Sequence, residues 1–400
     1  MPPSAPEDAL DEVWGALRTH HPMLEYLGVV GENWHAEYLP RVRAAGELAA
    51  ALPIIEELVL RLQECHTRLL WPGKPAPARP DVRLGWVEGG LAVIRGDAGG
   101  ALRPGDRVLG LDGTAAEDAV RAAWPRAQGA TAEGHLQSAC DRAIEGPPGT
   151  TLRLETERGA CALPRGGATA ARPEPVVLRV LPGSDAAVLR VPRWWGDGLL
   201  DQLDAFLEEA RDLPHLVVDV RGNGGGYDAP ARALVGRFTE AAFVCSIALY
   251  REAGTETFRR EVAVCHPRGP WRYAGRVAVL TDTDCRSACV HFAAAAEASG
   301  AACLVGAPTD GGCGLMQHIP LRCGATLVCS RTFPIDGGSG GLPSPLHGTP
   351  PHIPVPPTLA ALRAGRDGPL EAALAWLRSG APVPRRRRDP LRPFLPGAVL

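Results

Sequence analysis

Lysine is nearly absent from this chain of 400 residues. Lys74 is the single lysine, and every other strongly basic side chain is an arginine. A reaction that needs a catalytic lysine therefore has one candidate in the whole sequence. The formal net charge is also small, at −3. Charge alone therefore favours neither nucleic acid nor an anionic membrane as a partner.

The sequence also lacks an apolar run of membrane-spanning length and a basic, apolar leader at its N-terminus. Its eleven cysteines form no Cys-x-x-Cys pair and no zinc-ligand spacing. His318 and His347 have no partner at metal-ligand spacing either. We therefore expect a cytoplasmic protein with free thiols, and we expect neither a metal nor another cofactor.

The character of the sequence changes three times along the chain. Residues 7–66 carry apolar residues at the three- and four-residue spacing of helices. Short β-like runs separated by Gly, Pro and Asp turns follow a Pro-rich linker. From residue 178, apolar strands alternate with helical patterns, which predicts a mostly parallel sheet. The predicted parts are residues 1–70 (helical), 82–165 (β-rich), 172–365 (α/β core) and 366–400 (a helix and a basic, Pro-rich tail).

The stretch LVVDVRGNGGG, from Leu216 to Gly226, leads from an apolar strand into Arg-Gly-Asn and three glycines. Such a loop exposes backbone N–H groups and lets the main chain approach a ligand closely. Taken alone, the loop is equally compatible with phosphate binding or with a simple turn.

Ser287 lies in TDTDCRSACVHFAAAAEASG, residues 281–300, where a polar run meets an alanine-rich helical pattern. A helix beginning at Ser287 would direct its free N–H groups and positive dipole end towards the serine oxygen. The N–H of Ala288 would then be available to an oxyanion. The alternative is that Ser287 only caps the helix. Cys285 and Cys289 flank it and are expected to be small packing residues.

His66 ends the second helical pattern, in the stretch ECHTRLLWP. A lone histidine is more often structural than catalytic, and the chain has ten others. His66 becomes a candidate catalytic residue only when the three stretches are considered together.

Together, these stretches resemble the C-terminal processing (tail-specific) serine peptidases, in particular the branch that includes the tricorn protease core. VVDVRGNGGG is similar to the family's strand and glycine loop, DCRSACVHFAAAAEASGAACLVGAPTDGG to its nucleophile segment, and LQECHTRLLWP to its Asp-Gly-His-Thr element. The resemblance covers about residues 8–356. It implies an α/β fold with a crotonase-like (ClpP/crotonase) core, an N-terminal helical segment and an inserted β-rich, PDZ-like domain.

The PDZ-like part of the resemblance rests on GALRPGDRVLGLDG, from Gly100 to Gly113. PDZ domains hold an extended peptide by β-augmentation, often with its terminal carboxylate in a backbone nest. Another small β-rich domain is the alternative for this region.

The resemblance also implies catalytic roles for particular residues. Ser287 corresponds to the nucleophile and His66 to the general base. Many family members use a Ser–Lys pair, but the corresponding turn here is TDGGCG, with Gly312 at the lysine position. Because Lys74 lies in the linker, a Ser–His mechanism is expected. The implied oxyanion donors are the backbone N–H groups of Ala288, Gly225 and Gly224.

The acid that would orient the histidine is missing. The tricorn-like branch supplies a glutamate from a late segment, but the corresponding SPLHGTPPHIPVPP (344–357) contains no acid, and Pro345 occupies the glutamate position. His347 is the neighbouring polar candidate for an orienting group. Asp336 is the nearest upstream carboxylate. Glu64 is close in sequence to the histidine but would have to curl back on its own predicted helix.

A second serine motif, GGSGG (337–341), formally fits Gly-x-Ser-x-Gly. A nucleophile elbow needs a strand before the serine and a helix after it. Because LPSPLHGTPP follows and cannot form a helix, we interpret GGSGG as a loop.

The motifs favour a serine endopeptidase without a cofactor. Its expected substrate is a peptide or an unfolded protein, read in part through its C-terminal end, and neither nucleic acid nor a membrane is an expected partner. The alternative is a catalytically inactive, peptide-binding scaffold of the same fold, which the missing acid favours. An acyl-CoA enzyme with a crotonase-like core would explain neither the inserted domain nor His66.

Overall fold

The computed structural model describes residues 5–384 except for 25–28, 30–32, 98, 167–173, 253–254, 256, 313 and 337–346. The basic tail from residue 385 onwards and the GGSGG stretch therefore lie outside the described residues. Among the helices described, none is long and apolar enough to cross a bilayer.

The described residues of the N-terminal part form three α-helices, α1 (Pro6–His20), α2 (Trp34–Ala45) and α3 (Leu48–Leu60). Their apolar faces form one buried cluster that includes Leu10, Val13, Ile55 and Leu58. The side chain of Asn33 caps α2 by accepting the Ala36 N–H. Periodic apolar residues thus produce helices here, as predicted.

The second helical pattern of the sequence corresponds to α3, and its predicted end at His66 is wrong. α3 ends at Leu60, and His66 lies in the turn that follows rather than on the helix. Gln63 adopts a φ of 53°, a left-handed conformation through which a helix does not continue. The N–H of Thr67 then donates to the Glu64 carbonyl at 3.1 Å and closes a tight turn. The histidine is therefore placed by loop geometry.

A β-rich unit follows, with its own buried cluster that includes Leu84, Leu91, Leu152 and Leu154. It contains a two-stranded and a four-stranded sheet, in the orders β2-β3 and β5-β4-β6-β7. Two helices that the sequence did not indicate lie between β5 and β6. The elements are β2 (Arg83–Val87), β3 (Gly90–Arg95), β4 (Val108–Leu111), β5 (Thr114–Ala115), α4 (Ala116–Ala123), α5 (Ala132–Ala143), β6 (Thr151–Thr156) and β7 (Gly159–Pro164).

The α/β core is a six-stranded sheet in the order β18-β14-β13-β10-β9-β8. All neighbouring pairs are parallel except β8–β9. The predicted strands at 215–220, 276–281 and 302–306 are present at its centre. Its strands are β8 (Val177–Val180), β9 (Ala186–Arg190), β10 (His215–Asp219), β13 (Arg276–Thr281), β14 (Ala302–Gly306) and β18 (Ile353–Pro354).

Helices cover both faces of this sheet, which explains why its central strands are apolar throughout. Leu203 of α6 and Phe292 of α8 belong to the buried cluster on one face. Trp376 and Leu377 pack with Val217 on the other. The helices are α6 (Leu199–Glu209), α7 (Asp228–Val235), α8 (Ala288–Ala298), α9 (Leu359–Arg363) and α10 (Gly368–Ser379).

Two small antiparallel sheets complete the description, in the orders β12-β11-β17 and β1-β16-β15. In the second, Leu69 of β1 pairs with Leu327 of β16. This pairing joins the end of the helical segment to a hairpin of the late chain, only three residues after His66. The strands are β1 (Arg68–Leu70), β11 (Phe243–Arg251), β12 (Phe258–Cys265), β15 (Met316–Pro320), β16 (Thr326–Ser330) and β17 (Thr332–Asp336).

Candidate active site

Ser287 lies directly before α8, at the carboxyl end of the parallel strand β13. Its φ of 53° and ψ of −125° place a non-glycine residue in a strained conformation. Its side chain makes no capping hydrogen bond to α8, so the alternative of a simple helix cap is not supported. The Ser287 N–H donates to the Gly312 carbonyl at 2.8 Å. The serine is thus held by its backbone, and its half-buried hydroxyl is left free of the helix.

The glycine loop after β10 packs directly against this serine. A Cβ at Gly225, whose φ is +107°, would lie 2.6 Å from the Ser287 Cβ and 3.2 Å from the Ala288 nitrogen. Only glycine fits here without moving the serine. The fully buried Asn223 fixes the loop, because its amide donates to the Val191 carbonyl at 2.9 Å. Its own carbonyl accepts the Arg286 N–H at 3.1 Å, so one residue links the loop to the nucleophile segment.

The backbone donors near Ser287 differ in what already occupies them. The N–H of Ala288 is in the first position of α8, where a helix provides no internal acceptor. The N–H of Gly225, the preferred loop donor from the sequence, donates to the Asn223 Oδ1 at 2.8 Å. Gly224 is exposed and has no atom within 4 Å of its Cβ position. Of the two predicted glycines, Gly224 is the one that borders open space.

Arg221 anchors the other end of the glycine loop, a role that sequence reasoning did not assign. Its guanidinium donates to Asp219 at 2.8 Å and to Asp367 at 2.8 Å. Asp367 also caps α10 by accepting the Leu370 N–H. The arginine therefore joins the loop to the helix beneath the sheet.

The turn that carries His66 meets the nucleophile segment at Gly312. A Cβ at Gly312 would collide with the Cys65 sulfur, so the two residues are in close contact. Since the Gly312 carbonyl accepts the Ser287 N–H, the Cys65–His66 turn and Ser287 share one neighbour. The charges of Arg286 and His291, on either side of Ser287, also act on the pKa of His66. The structure thus brings together two segments more than two hundred positions apart.

A catalytic lysine has no place in this arrangement. Cys65 occupies the space that a side chain at position 312 would need. The ammonium of Lys74 donates to the Glu56 carboxylate and, at 2.8 Å, to the Leu69 carbonyl, and it lies 4.7 Å from the centre of the Trp71 ring. The single lysine is therefore engaged within the N-terminal segment.

Glu64 lies much closer to His66 than the sequence suggested. Its Oε1 is 3.5 Å from the His66 Nδ1 and accepts the His66 backbone N–H at 3.0 Å. The expectation that Glu64 would have to bend back along a helix is wrong, because both residues lie on the turn after α3. The Thr67 hydroxyl donates to the Glu64 Oε2, and the His21 Nε2 is 3.9 Å from that oxygen.

Burial and neighbouring groups set the charges of this pair. Glu64 is 2% exposed. Burial alone would raise its pKa, but the neighbouring His21 imidazole, the charge of His66 and the Thr67 hydroxyl lower the pKa to about 2. Burial lowers the pKa of His66 below its ordinary value, and the opposing effect of Glu64 does not reverse this. At neutral pH, the carboxylate is ionised and the imidazole is a neutral base.

The sequence also named His347 as a candidate orienting group and Asp336 as the nearest upstream carboxylate. Within the described part of the chain, no hydrogen bond or ion pair connects the half-buried His347 to His66, and burial lowers the pKa of His347. Asp336 ends β17, where its backbone pairs with Ser246. Pro345 lies outside the described residues.

Charged side chains connect the nucleophile segment to the β-rich unit. Arg83 of β2 donates to Asp284, three residues before Ser287, and to Asp141 of α5. The fully buried Asp310 lies 3.1 Å from the Arg286 Nε, and burial raises the pKa of Asp310 to about 6. Arg83, which the sequence motifs did not single out, thus attaches the β-rich unit to the segment that carries the serine.

Two exposed aromatic side chains border the glycine loop. Trp195 is 48% exposed and Tyr227 is 70% exposed. Their positions are fixed by the backbone, since the Trp194 N–H donates to the Gly225 carbonyl at 2.9 Å and the Tyr227 N–H to the Trp194 carbonyl at 2.8 Å. Large exposed aromatics at such a place are typical of binding surfaces.

Comparisons with known proteins bear on the family of the core and on the fold. Residues 185–353 match the model of peptidase family S41. The fold resembles that of mature CPAF (13% identity, 95% of this chain and 99% of that chain, TM-score 0.76) and of the photosystem II D1 C-terminal processing protease (17% identity, 94% and 98%, TM-score 0.55). It also resembles the tricorn protease (14% identity, 94% of this chain and 37% of that chain, TM-score 0.50). No curated protein matches the chain in sequence.

Proposed function

We propose that this chain, a serine-type peptidase whose core belongs to peptidase family S41, uses Ser287 as its nucleophile and His66 as its general base. One observation carries these assignments. The glycine loop packs on the Cβ of the strained Ser287. The N–H of Ser287 is bonded to Gly312, and the Cys65–His66 turn contacts that same glycine. An unstrained helix cap would need neither neighbour.

The reaction follows from this arrangement in two stages. The Ser287 oxygen attacks the peptide carbonyl while His66 takes the hydroxyl proton, and His66 returns that proton to the departing amine. A water molecule then attacks the acyl-enzyme, with His66 accepting its proton and passing it back to the serine oxygen. The products are two shorter peptides, and no cofactor is consumed.

The oxyanion formed in each stage needs donors beside Ser287. We assign one to the Ala288 N–H, which the helix start leaves unpaired. The second comes from the glycine loop. Gly224 is better placed than Gly225 for this role in the substrate-free arrangement, because the Gly225 N–H is already bonded to Asn223.

The fold supports peptide recognition by more than one part of the chain. We assign a crotonase-like core to residues 172–365 and a PDZ-like domain to residues 82–165. The β-rich unit is attached to the serine loop through Arg83 and Asp284. A peptide bound there by its C-terminal end would be presented close to Ser287. A cytoplasmic location and the absence of nucleic-acid and membrane partners stay predictions.

The exposed pair Trp195 and Tyr227 forms a surface for substrate side chains next to the scissile bond. Tyr227 is two residues after Gly225, and the Trp195 ring lies against Gly226, since a Cβ there would be 2.9 Å from the ring. Aromatic rings bury large apolar areas when covered. We therefore expect peptides with large apolar or aromatic residues near the cleavage point to bind best.

Labelling with a fluorophosphonate tests the assignment of the nucleophile. The wild-type protein should be labelled, and the Ser287→Ala and His66→Gln variants should not, while the circular dichroism of all three stays the same. Ser299→Ala is the matched control, because the Ser299 hydroxyl donates to the Ala296 carbonyl and accepts the Ala301 N–H, both at the opposite end of α8 from Ser287. A folded wild-type protein that is not labelled and cleaves no peptide would support the scaffold instead.

A further inference from the structure

We propose that Glu64 orients His66 and thereby replaces the acid that is missing from residues 344–357. The inference rests on the proposed role of His66 as the general base. Its basis is that one carboxylate oxygen, the Glu64 Oε1, faces the His66 Nδ1 at 3.5 Å and accepts the His66 backbone N–H at 3.0 Å. The same atom thus fixes the backbone of the histidine and faces its ring.

The Glu64 carboxylate is itself rigidly held. Its second oxygen accepts the Thr67 hydroxyl. On the opposite side, the His21 Nδ1 accepts the Met23 N–H at 3.3 Å, so the proton of a neutral His21 must be on Nε2. That buried Nε2 lies 3.9 Å from the same Glu64 oxygen and forms no hydrogen bond with another described residue. Glu64 therefore has donors on both oxygens and little freedom to turn away from His66.

This arrangement determines which nitrogen of His66 can act as the base. The Nδ1 atom is buried and forms no hydrogen bond with any described residue, and the Glu64 carboxylate approaches it at 3.5 Å. A proton on Nδ1 is stabilised by Glu64, which leaves the lone pair on Nε2 for the Ser287 hydroxyl. The negative charge also stabilises the imidazolium that forms when Nε2 takes the serine proton.

The groups that face His66 predict the direction of its titration. Burial lowers the pKa of the imidazole most, and Arg68 on β1, His291 on α8 and Arg286 lower it further, whereas Glu64 raises it. Removing the carboxylate charge leaves only the lowering effects. The acidic limb of the activity profile must then move to lower pH while the maximal rate falls.

Nuclear magnetic resonance on the Ser287→Ala protein tests this without requiring activity. Glu64→Gln in that background should lower the pKa of His66 by about 1 unit or more, as expected for the loss of an opposite charge at this distance. Glu64→Asp, which keeps the charge, should leave the pKa close to that of the parent. An unchanged pKa in the folded Glu64→Gln protein would overturn the proposal.

The neutral tautomer of His66 provides a second measurement with Glu64 intact, in case the glutamine variant does not fold. Nitrogen-15 shifts should show the proton on Nδ1, and a proton on Nε2 would contradict the proposal. In the otherwise wild-type enzyme, Glu64→Gln should reduce kcat by about 10²-fold or more and shift the acidic limb downwards, with Glu64→Asp in between. A purely structural role would lower activity without moving that limb.

The two proposals can fail separately. If the resonance results hold but fluorophosphonate labels neither Ser287 nor any other residue, Glu64 positions His66 and the peptidase assignment fails. If Ser287 is labelled and the pKa of His66 does not respond to Glu64, the nucleophile stands and the orienting role fails.

Discussion

Replacing Gly225 by alanine tests the contact on which the position of the nucleophile depends. The residue has a φ of +107°, and an added Cβ would lie 2.6 Å from the Ser287 Cβ and 2.8 Å from the Arg286 carbonyl. Ordinary carbon–carbon contacts are about 3.5–4.0 Å. The variant must therefore move the serine or the loop by about 1 Å.

The size of the effect follows from the backbone strain at position 225 and from the displacement of the serine. The strained backbone of an alanine at this φ costs about 1–3 kcal/mol of unfolding free energy. A displacement of about 1 Å at a reacting group lowers the rate on the order of 10²-fold. We therefore expect kcat/KM of Gly225→Ala to fall by about 10²-fold, far more than its loss of stability would explain while the protein stays folded.

The assay compares hydrolysis of a fluorogenic peptide with denaturant unfolding of the same preparations. Gly183→Ala is the matched control, because Gly183 also has a positive φ (+64°) but nothing lies within 4 Å of its Cβ position. It should lose stability and keep its activity. A Gly225→Ala protein with wild-type kcat/KM would refute the reasoning, since the serine would then tolerate the displacement.

Other variants and conditions test separate parts of the site. Lys74→Gln should retain kcat, because that ammonium is bonded within the N-terminal segment, although the variant should unfold at lower denaturant concentration. Trp195→Ala and Tyr227→Ala should raise KM for peptides with aromatic residues by roughly tenfold while changing kcat little, as loss of a covered aromatic surface predicts. The acidic limb of the pH profile of kcat/KM should lie below pH 6.5, the ordinary pKa of histidine, because burial lowers the pKa of His66. An acidic limb well above that value would contradict the assignment. Iodoacetamide should not inactivate the enzyme at neutral pH, since burial raises the pKa of Cys285 well above its ordinary value, and rapid inactivation would point to a thiol nucleophile.

The sequence predicted those parts of the fold that depend on local pattern. Alternating strands and helices gave the strands at 215–220, 276–281 and 302–306 and the helix after Ser287, because buried parallel strands are short apolar runs and helices repeat every three to four residues. The helices α4 and α5 were not predicted, since the residues that they bury are mostly small and give a weak hydrophobic pattern: Ala116, Val120 and Ala123 in α4, and Gly134, Ser138 and Ala139 among those in α5. The end of α3 was also missed, because a left-handed Gln63 has no clear signal in composition.

The residues of the candidate site were likewise predicted only in part. The glycine loop and the serine at a helix start could be recognised because both are contiguous in sequence. The anchoring by Asn223 and Arg221, and the charged links from Arg83, depend on side chains that meet only after folding. Short-range spacing gave no signal for them.

Sequence alone determined the family resemblance, the candidate nucleophile and the exclusion of a lysine at position 312. Tertiary structure decided whether an acid is available to His66. The late segment has none, yet the turn after α3 directs Glu64 towards the imidazole. The reason is physical. A pattern along the chain shows which residues are present, whereas a carboxylate acts on an imidazole only through its distance, its burial and the donors that hold it. That distance, burial and set of donors exist once β1 has paired with β16.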